Sequence, residues 1–328
     1  MKQKSQNRFL AALLAVAMML QMLPMLAFAE DATGTGKPVA WNKDKKNKAY
    51  TSLEAAVREA DSGNTIILGE GNYTLYGIKS DETTRGKDLT FEGKGPDVTT
   101  WIIGAKVPDP KLYGSEYNGD YCFDGAGKIT FKNMKLLSGK VDYLGFIRPD
   151  QTVVDHCEIY GKTFYWGYTS AVFTDTTFYA PNEDYAIWTY SSPTMIFDNC
   201  TFDTTGKAIN VYADHEAGKH NVRVYFNNCT VNSSILNKQA LNINDSNMRP
   251  YKYIIHIDNP QTIDAALSNT TCSQLFGFKE DKSTGFTGNT GYTDVYLGGD
   301  LVWTDGKMKT HSYTVGEKDK AFTTTYSE

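Results

Sequence analysis

Hydrophobic and polar positions along the chain fall into a six-residue frame that is clearest at residues 197–202, FDNCTF. Apolar Phe197 is followed by polar Asp198, then Asn199, small Cys200, polar Thr201 and apolar Phe202. The frame also fits FKNMKL at 131–136, VDHCEI at 154–159, FTDTTF at 173–178 and FNNCTV at 226–231. Apolar positions alternate within each copy as a strand requires, but the alternation is reset once, at the third position. A reset at one fixed place is a bend, and Asn and Asp tolerate the left-handed backbone that such a bend needs. Asn133, His156, Asp175, Asn199 and Asn228 are therefore expected to superpose as a ladder of turns. Phe131, Val154, Phe173, Phe197 and Phe226 are expected to superpose as a ladder of interior anchors.

The anchors recur at spacings of 23, 19, 24 and 29 residues. Self-similarity at this period predicts a stacked architecture in which each unit buries its apolar face against its neighbours. Between copies a third strand is predicted from the match of AIWTY at 186–190 with AINVY at 208–212 and ALNIN at 240–244. Ile187, Ile209 and Leu241 then share an inward column. Alternation sends Trp188, Asn210 and Asn242 outward in one column, and Tyr190, Tyr212 and Asn244 in another. Extended one repeat earlier, the alignment sets Trp166 above Trp188 and Tyr168 above Tyr190, with Phe146 and Arg148 before them.

Upstream, Thr51 or Ser52 is placed to cap a short helix with Leu53, Ala56, Val57 and Ala60 on one face, which Gly63 stops. A strand at 65–68 follows. Such a helix would close the open end of the stack, where core residues and strand edges are otherwise bare. Residues 89–93 read as an early copy with Gly93 at the bend, and 94–122, with three prolines, as a long excursion. Ile257 starts a sixth copy that Pro260 interrupts, so the stack is expected to end near Thr262. Residues 295–297 and 301–303 read as a hairpin about Gly298 and Gly299. The last twenty residues carry no core pattern.

The repeated frame resembles the right-handed parallel β-helix repeat proteins, the superfamily that includes pectate lyases, over residues 50–265. The order helix, Gly, strand, Gly71-Asn72-Tyr73 looks like the entrance to pectin-lyase-like domains. The expected fold is all-β: a right-handed parallel β-helix at 50–267 with a short N-terminal capping helix and an irregular C-terminal segment at 268–328. Residues 30–49 read as a linker. In the enzymes of that superfamily the sheet corresponding to the third strand carries the substrate cleft, and the resemblance implies the same location here.

Lys2, Lys4 and Arg8 precede an apolar run into Phe28, and Ala27-Phe28-Ala29 offers the small-x-small site of a signal peptidase, so residues 1–29 read as a signal peptide. An uncleaved anchor is the alternative, since the run is long enough to span a bilayer. No later stretch is apolar enough to do so. Cleavage removes three basic residues, leaving 299 residues and taking the net charge from −5 to −8. That balance argues against a nucleic-acid partner. Export would permit disulfides among the five cysteines. Cys157, Cys200 and Cys229, however, share an inward column with Met134 and Thr176 and read as small apolar filler. A Cys200–Cys229 bridge is the alternative.

The outward columns make a stripe of aromatics and amides: Trp166, Tyr168, Trp188, Tyr190, Asn210, Tyr212 and Asn242. Aromatic faces pack against sugar C–H faces and amides satisfy hydroxyls, so the stripe suits an extended extracellular polysaccharide or cell-surface glycan. Equally open is that loops cover these rings as a satellite core. For catalysis the candidates are Asp214, His215 and Glu216 in a loop dense with titratable groups, and Asp245. Asp150, Asp184 and Arg249 fall in loops near the same face. Paired carboxylates would serve a glycoside hydrolase. A polysaccharide lyase would use Ca²⁺ held by Asp and Glu while Lys or Arg removes a proton. Otherwise no cofactor is expected. Asp155-His156-Cys157 resembles a segment of one pectate lyase family, but the register places His156 in the bend ladder, and that family's further Asp pairs and Arg-x-Pro-x-x-Arg run are missing. Three functions stay in view: a secreted glycan-engaging protein, a polysaccharide-cleaving enzyme, and a structural or adhesive part of a bacterial surface protein.

Overall fold

A computed structural model describes residues 36–75, 83–103, 121–138, 146–164, 166–181, 185–189, 193–204, 206–211, 221–233, 241–243, 252–258, 261–262, 276–278, 293–308, 311–315 and 322–326. The fold is predominantly β with long parallel sheets. Sheet 1 has thirteen strands. Its parallel run comprises Thr65–Leu68, Leu89–Glu92, Lys128–Lys132, Gln151–Asp155, Ser170–Thr174, Thr194–Asp198, Val222–Asn227, Tyr253–Asp258 and Thr293–Leu297. Sheet 2 has eight strands, from Gly71–Tyr73 to Gln261–Thr262. Sheet 3 has five: Thr163–Phe164, Tyr185–Trp188, Lys207–Val211, Leu241–Ile243 and Phe276–Phe278. From Gln151 to Phe278 the chain visits sheets 1, 2 and 3 in fixed rotation.

The anchor register is as the frame predicts. Phe131 pairs with Val154, Val154 with Phe173, Phe173 with Phe197, and Phe197 with Phe226. In sheet 2 the sixth position of the frame makes its own column, Leu136, Ile159, Phe178, Phe202 and Val231. Parallel strands about 4.8 Å apart set like residues directly over one another, so flat rings stack. Phe173 lies on Phe197 at 5.1 Å and 5°, and Phe178 on Phe202 at 4.7 Å and 3°. All four are fully buried.

The bends between sheets 1 and 2 also follow the frame. Asn133, His156, Asp175, Asn199 and Asn228 all have left-handed backbone, with φ between 47° and 54°. One position later Met134, Cys157, Thr176, Cys200 and Cys229 point inward and are buried. The three cysteines are free thiols. Cys157 donates to the Phe131 carbonyl at 3.6 Å, Cys200 to Phe173 at 3.4 Å and Cys229 to Phe197 at 3.5 Å. Burial pushes the Cys157 thiol up to about 12 and raises Cys229 as well. A reacting thiol must be reached by the reagent, and all three are buried, so they are expected to resist iodoacetamide at pH 8 in the folded protein and to label once it is denatured. Peptide mapping by mass spectrometry checks this, and rapid native labelling of any of the three would contradict the interior column.

Gly93 takes the bend position of the early copy for a different reason. Its backbone is not left-handed. A Cβ there would stand 2.5 Å from the Asn133 carbonyl oxygen and 2.9 Å from Thr99 Cβ. Close approach of two backbones, not turn geometry, requires glycine here.

At the start of the stack, Ser52 caps helix Leu53–Glu59 by accepting from the Ala55 amide at 3.2 Å. Leu53, Ala56, Val57 and Ala60 are buried, as the helix pattern predicts. Two expectations need correction. Residues 30–49 are not linker throughout: Ala40–Asn42 pairs antiparallel with both Lys48–Tyr50 and Thr65–Leu68, and Ala40 and Asn42 turn inward and are fully buried. Nor does sheet 1 end near Thr262, because Thr293–Leu297 pairs in parallel with Tyr253–Asp258, continuing the anchor column from Ile257 to Leu297. The expected hairpin then reverses the sheet, Thr293–Leu297 against Asp300–Thr304, followed by Lys307–Met308. Within the last twenty residues, His311–Val315 pairs antiparallel with Phe322–Tyr326. Among the described residues no helix is long and apolar enough to cross a membrane.

Candidate functional site

Sheet 3 places the candidate residues by its register. Ile187 pairs with Ile209 and Ile209 with Leu241, so this column faces the core, and the first two side chains are fully buried. Trp188 pairs with Asn210 and Asn210 with Asn242, the neighbouring column predicted to face outward. Trp188 is half-buried, its ring tilted against Tyr185 at 5.7 Å, and the Lys162 ammonium lies 5.9 Å from the Tyr185 ring. Asn210 is on the same face yet only 6% exposed. This column is thus partly covered, and Trp188 is its accessible aromatic.

Trp166 does not join it. Phe164, not Trp166, pairs with Trp188, and Trp166 instead bridges to Ile147. Its ring is fully buried, edge-on to Phe173 at 5.2 Å, and its indole N–H donates to Thr163 Oγ1 at 2.8 Å. The pairing lies two residues earlier than the alignment of aromatics assumes, and Gly167, with φ 117° and a Cβ that would stand 3.0 Å from the Ser170 carbonyl oxygen, turns the chain just after Trp166. Tyr168 follows that turn into a polar cluster. Its hydroxyl accepts from the Arg148 guanidinium and donates to Asp124 at 3.1 Å, and Arg148 lies over its ring at 5.0 Å. Tyr168 is accordingly engaged within the fold.

Tyr190, Tyr212, Asn244, Asp184 and Arg249 lie outside the described residues, as do the catalytic candidates Asp214, His215, Glu216 and Asp245. The Asn242 backbone is in register, and its side chain lies outside the description. Asp150 is exposed.

Two outward aromatic ladders went unread at the level of sequence. On sheet 2, Tyr160 stacks on Tyr179 at 4.8 Å, with the Lys135 ammonium 5.1 Å from the Tyr160 ring. Burial, then a hydrogen bond to Glu158, raises the Tyr160 hydroxyl. On sheet 1, Tyr225, His256 and Tyr296 stack at 4.8 and 4.6 Å. Tyr225 and His256 each precede an interior residue of the anchor column by one place, so extending the frame backward by one position finds both. In-register stacking occupies ring faces with neighbouring rings, which leaves edges rather than faces for a sugar.

The bend ladder carries a run of linked polar side chains. Lys132 pairs with Asp155 Oδ2 at 2.9 Å, and His156 Nδ1 meets Asp155 Oδ1 at 2.6 Å. His156 Nε2 is 3.6 Å from Asp175 Oδ2. Asn199 donates to Asp175 Oδ1, and Asn228 donates to Asn199 at 3.2 Å. Burial by itself would raise the Asp155 carboxyl, but the hydrogen bonds from Lys132 and His156 outweigh it and hold the group below its ordinary value. A scan of protein-family models, a search of curated proteins and a search of solved structures each returned no match.

Proposed function

We propose that the chain is an exported right-handed parallel β-helix of pectin-lyase-like type that engages an extracellular polysaccharide along the outer face of sheet 3. The fold reading is supported by the fixed rotation of the chain through three parallel sheets and by five successive left-handed bends in one column. Export to the cell exterior is supported by the basic residues, apolar run and Ala27-Phe28-Ala29 at the N-terminus. The observation that carries the binding reading is the register of Trp188 with Asn210 and Asn242. An indole face packs on sugar C–H groups, and Trp188 is the accessible aromatic of this column. Because Trp166 is interior, this surface is shorter than an alignment of aromatics suggests.

A panel of pectins, alginates and plant and host glycans, immobilised and probed with the purified chain, tests this. Binding is expected for at least one polymer, falling at least tenfold in Trp188→Ala, the scale of about 1.4 kcal/mol lost from a sugar–indole contact. Unchanged binding in that variant would remove sheet 3 as the surface. Unsaturated or reducing ends that appear on incubation, and vanish when Asp214 and Glu216 are changed to Ala, would make the surface a substrate cleft. A panel with no binding partner at all would leave the structural or adhesive reading.

A further inference from the structure

We infer that His156 and Asp175, with Asp155 orienting the imidazole, form a surface site for a first-row divalent cation of the zinc type, built across two successive bends of the ladder. The three groups present ligand atoms that all lie within 4.8 Å of one another. Their placement follows from the backbone. His156 and Asp175 are both left-handed residues in one column, so their side chains leave neighbouring bends side by side.

The imidazole is oriented in the way metal-binding histidines are. Asp155 holds Nδ1 at 2.6 Å, which fixes the tautomer with the proton on Nδ1 and leaves the Nε2 lone pair free to coordinate. Nε2 points toward Asp175 Oδ2 at 3.6 Å, too long for a hydrogen bond. Two ligands of one tetrahedral zinc, each at about 2.0–2.1 Å, stand about 3.3 Å apart, so only a few tenths of an ångström of adjustment brings both onto one ion. Asp175 is also held from behind, since Asn199 donates to Oδ1 and leaves Oδ2 turned to the histidine. The site is open to solvent, with His156 61% exposed, so water completes the coordination shell.

The chemistry of the set favours one class of ion. Imidazole with carboxylate suits zinc and its first-row neighbours, whereas calcium takes oxygen ligands and gains nothing from Nε2. Lys132 neutralises Asp155 at 2.9 Å, so Asp175 supplies the ligand charge and Asp155 acts as the positioning residue.

The ladder itself provides a control. Asn occupies the equivalent bend at positions 133, 199 and 228, so His156→Asn removes the imidazole while keeping a residue that accepts the left-handed backbone. The full chain, stripped with chelator, is titrated with zinc chloride by calorimetry. The wild type is expected to show one more saturable event than His156→Asn, and Asp175→Asn, equally compatible with the bend, is expected to lose the same event. Asp155→Asn is expected to weaken it roughly 10- to 100-fold without abolishing it. Calcium chloride is expected to give no event sensitive to His156. In chelator, His156→Asn should melt at the wild-type temperature, and zinc should raise the melting temperature of the wild type alone. Titrations of the wild type, His156→Asn and Asp175→Asn that superimpose would overturn the site and leave the cluster as a hydrogen-bonded ladder.

Discussion

Replacing Phe197 by alanine is expected to lower the thermal midpoint by on the order of 10 °C, from a loss of about 3–5 kcal/mol. The ring is fully buried in the middle of sheet 1, stacked on Phe173 and edge-on to Phe178 at 6.0 Å and Phe202 at 5.7 Å. Neighbours above and below are fixed by strand register, so the cavity cannot collapse without breaking rows of hydrogen bonds. In stacked repeats stability is a sum of units and their interfaces, and unfolding need not be all-or-none. Hydrogen exchange is therefore the sharper readout, with protection falling in Thr194–Asp198 and in its two neighbours, Ser170–Thr174 and Val222–Asn227. Exposed Asp203, one sheet away, should tolerate alanine within about 0.5 kcal/mol. Equal effects from the two changes would contradict the interior column.

The second large effect is expected at Gly93. Alanine there sets a methyl group 2.5 Å from the Asn133 carbonyl oxygen, and this obstacle is backbone that cannot rotate away. That carbonyl also accepts from the Gly95 amide at 2.9 Å, while Gly93 itself donates to Lys132 at 2.9 Å, so relief means parting the strands Leu89–Glu92 and Lys128–Lys132. Overpacking of this kind costs about 1–3 kcal/mol, read as a shift in the denaturation midpoint. Gly93→Asn tests the cause more sharply. If the position were one more bend of the ladder, asparagine would be tolerated. The close approach instead predicts that asparagine is at least as harmful as alanine.

The interior of this protein was legible because its signal is redundant. Alternation, the single reset and the residue at the reset all point to one register, and five copies repeat it, so the pairing of Phe131 through Phe226 and the left-handed backbone at Asn133 through Asn228 followed together. The pairing of Ile187, Ile209 and Leu241 in sheet 3 was readable for the same reason. The outer face was less so. Outward residues have no common partner to satisfy, and nothing in their alternation distinguishes a bare ring from a covered amide such as Asn210. The misplacement of Trp166 has a specific origin: matching tryptophan to tryptophan set the register two residues late, since Phe164 is the partner of Trp188. The metal-ligating geometry was hidden differently. Asp155 and His156 are adjacent in sequence, but Asp175 joins them only through the stacking of two bends.

Parallel sheets end in rows of unpaired amides and carbonyls that match the row at the opposite end, an arrangement that invites molecules to add head-to-tail into fibres. Among the described residues, sheet 1 offers only short ends. Its outermost strands at both extremities run antiparallel to their neighbours, and each is short and begins with lysine, Lys48–Tyr50 at one end and Lys307–Met308 at the other. Two reversals at each end bring the edge strand back to the direction of the parallel run, so its shortness is what matters: two or three residues offer an incoming edge few hydrogen bonds. These short edges thereby disfavour polymerisation of a sequence whose repeats would otherwise template one another.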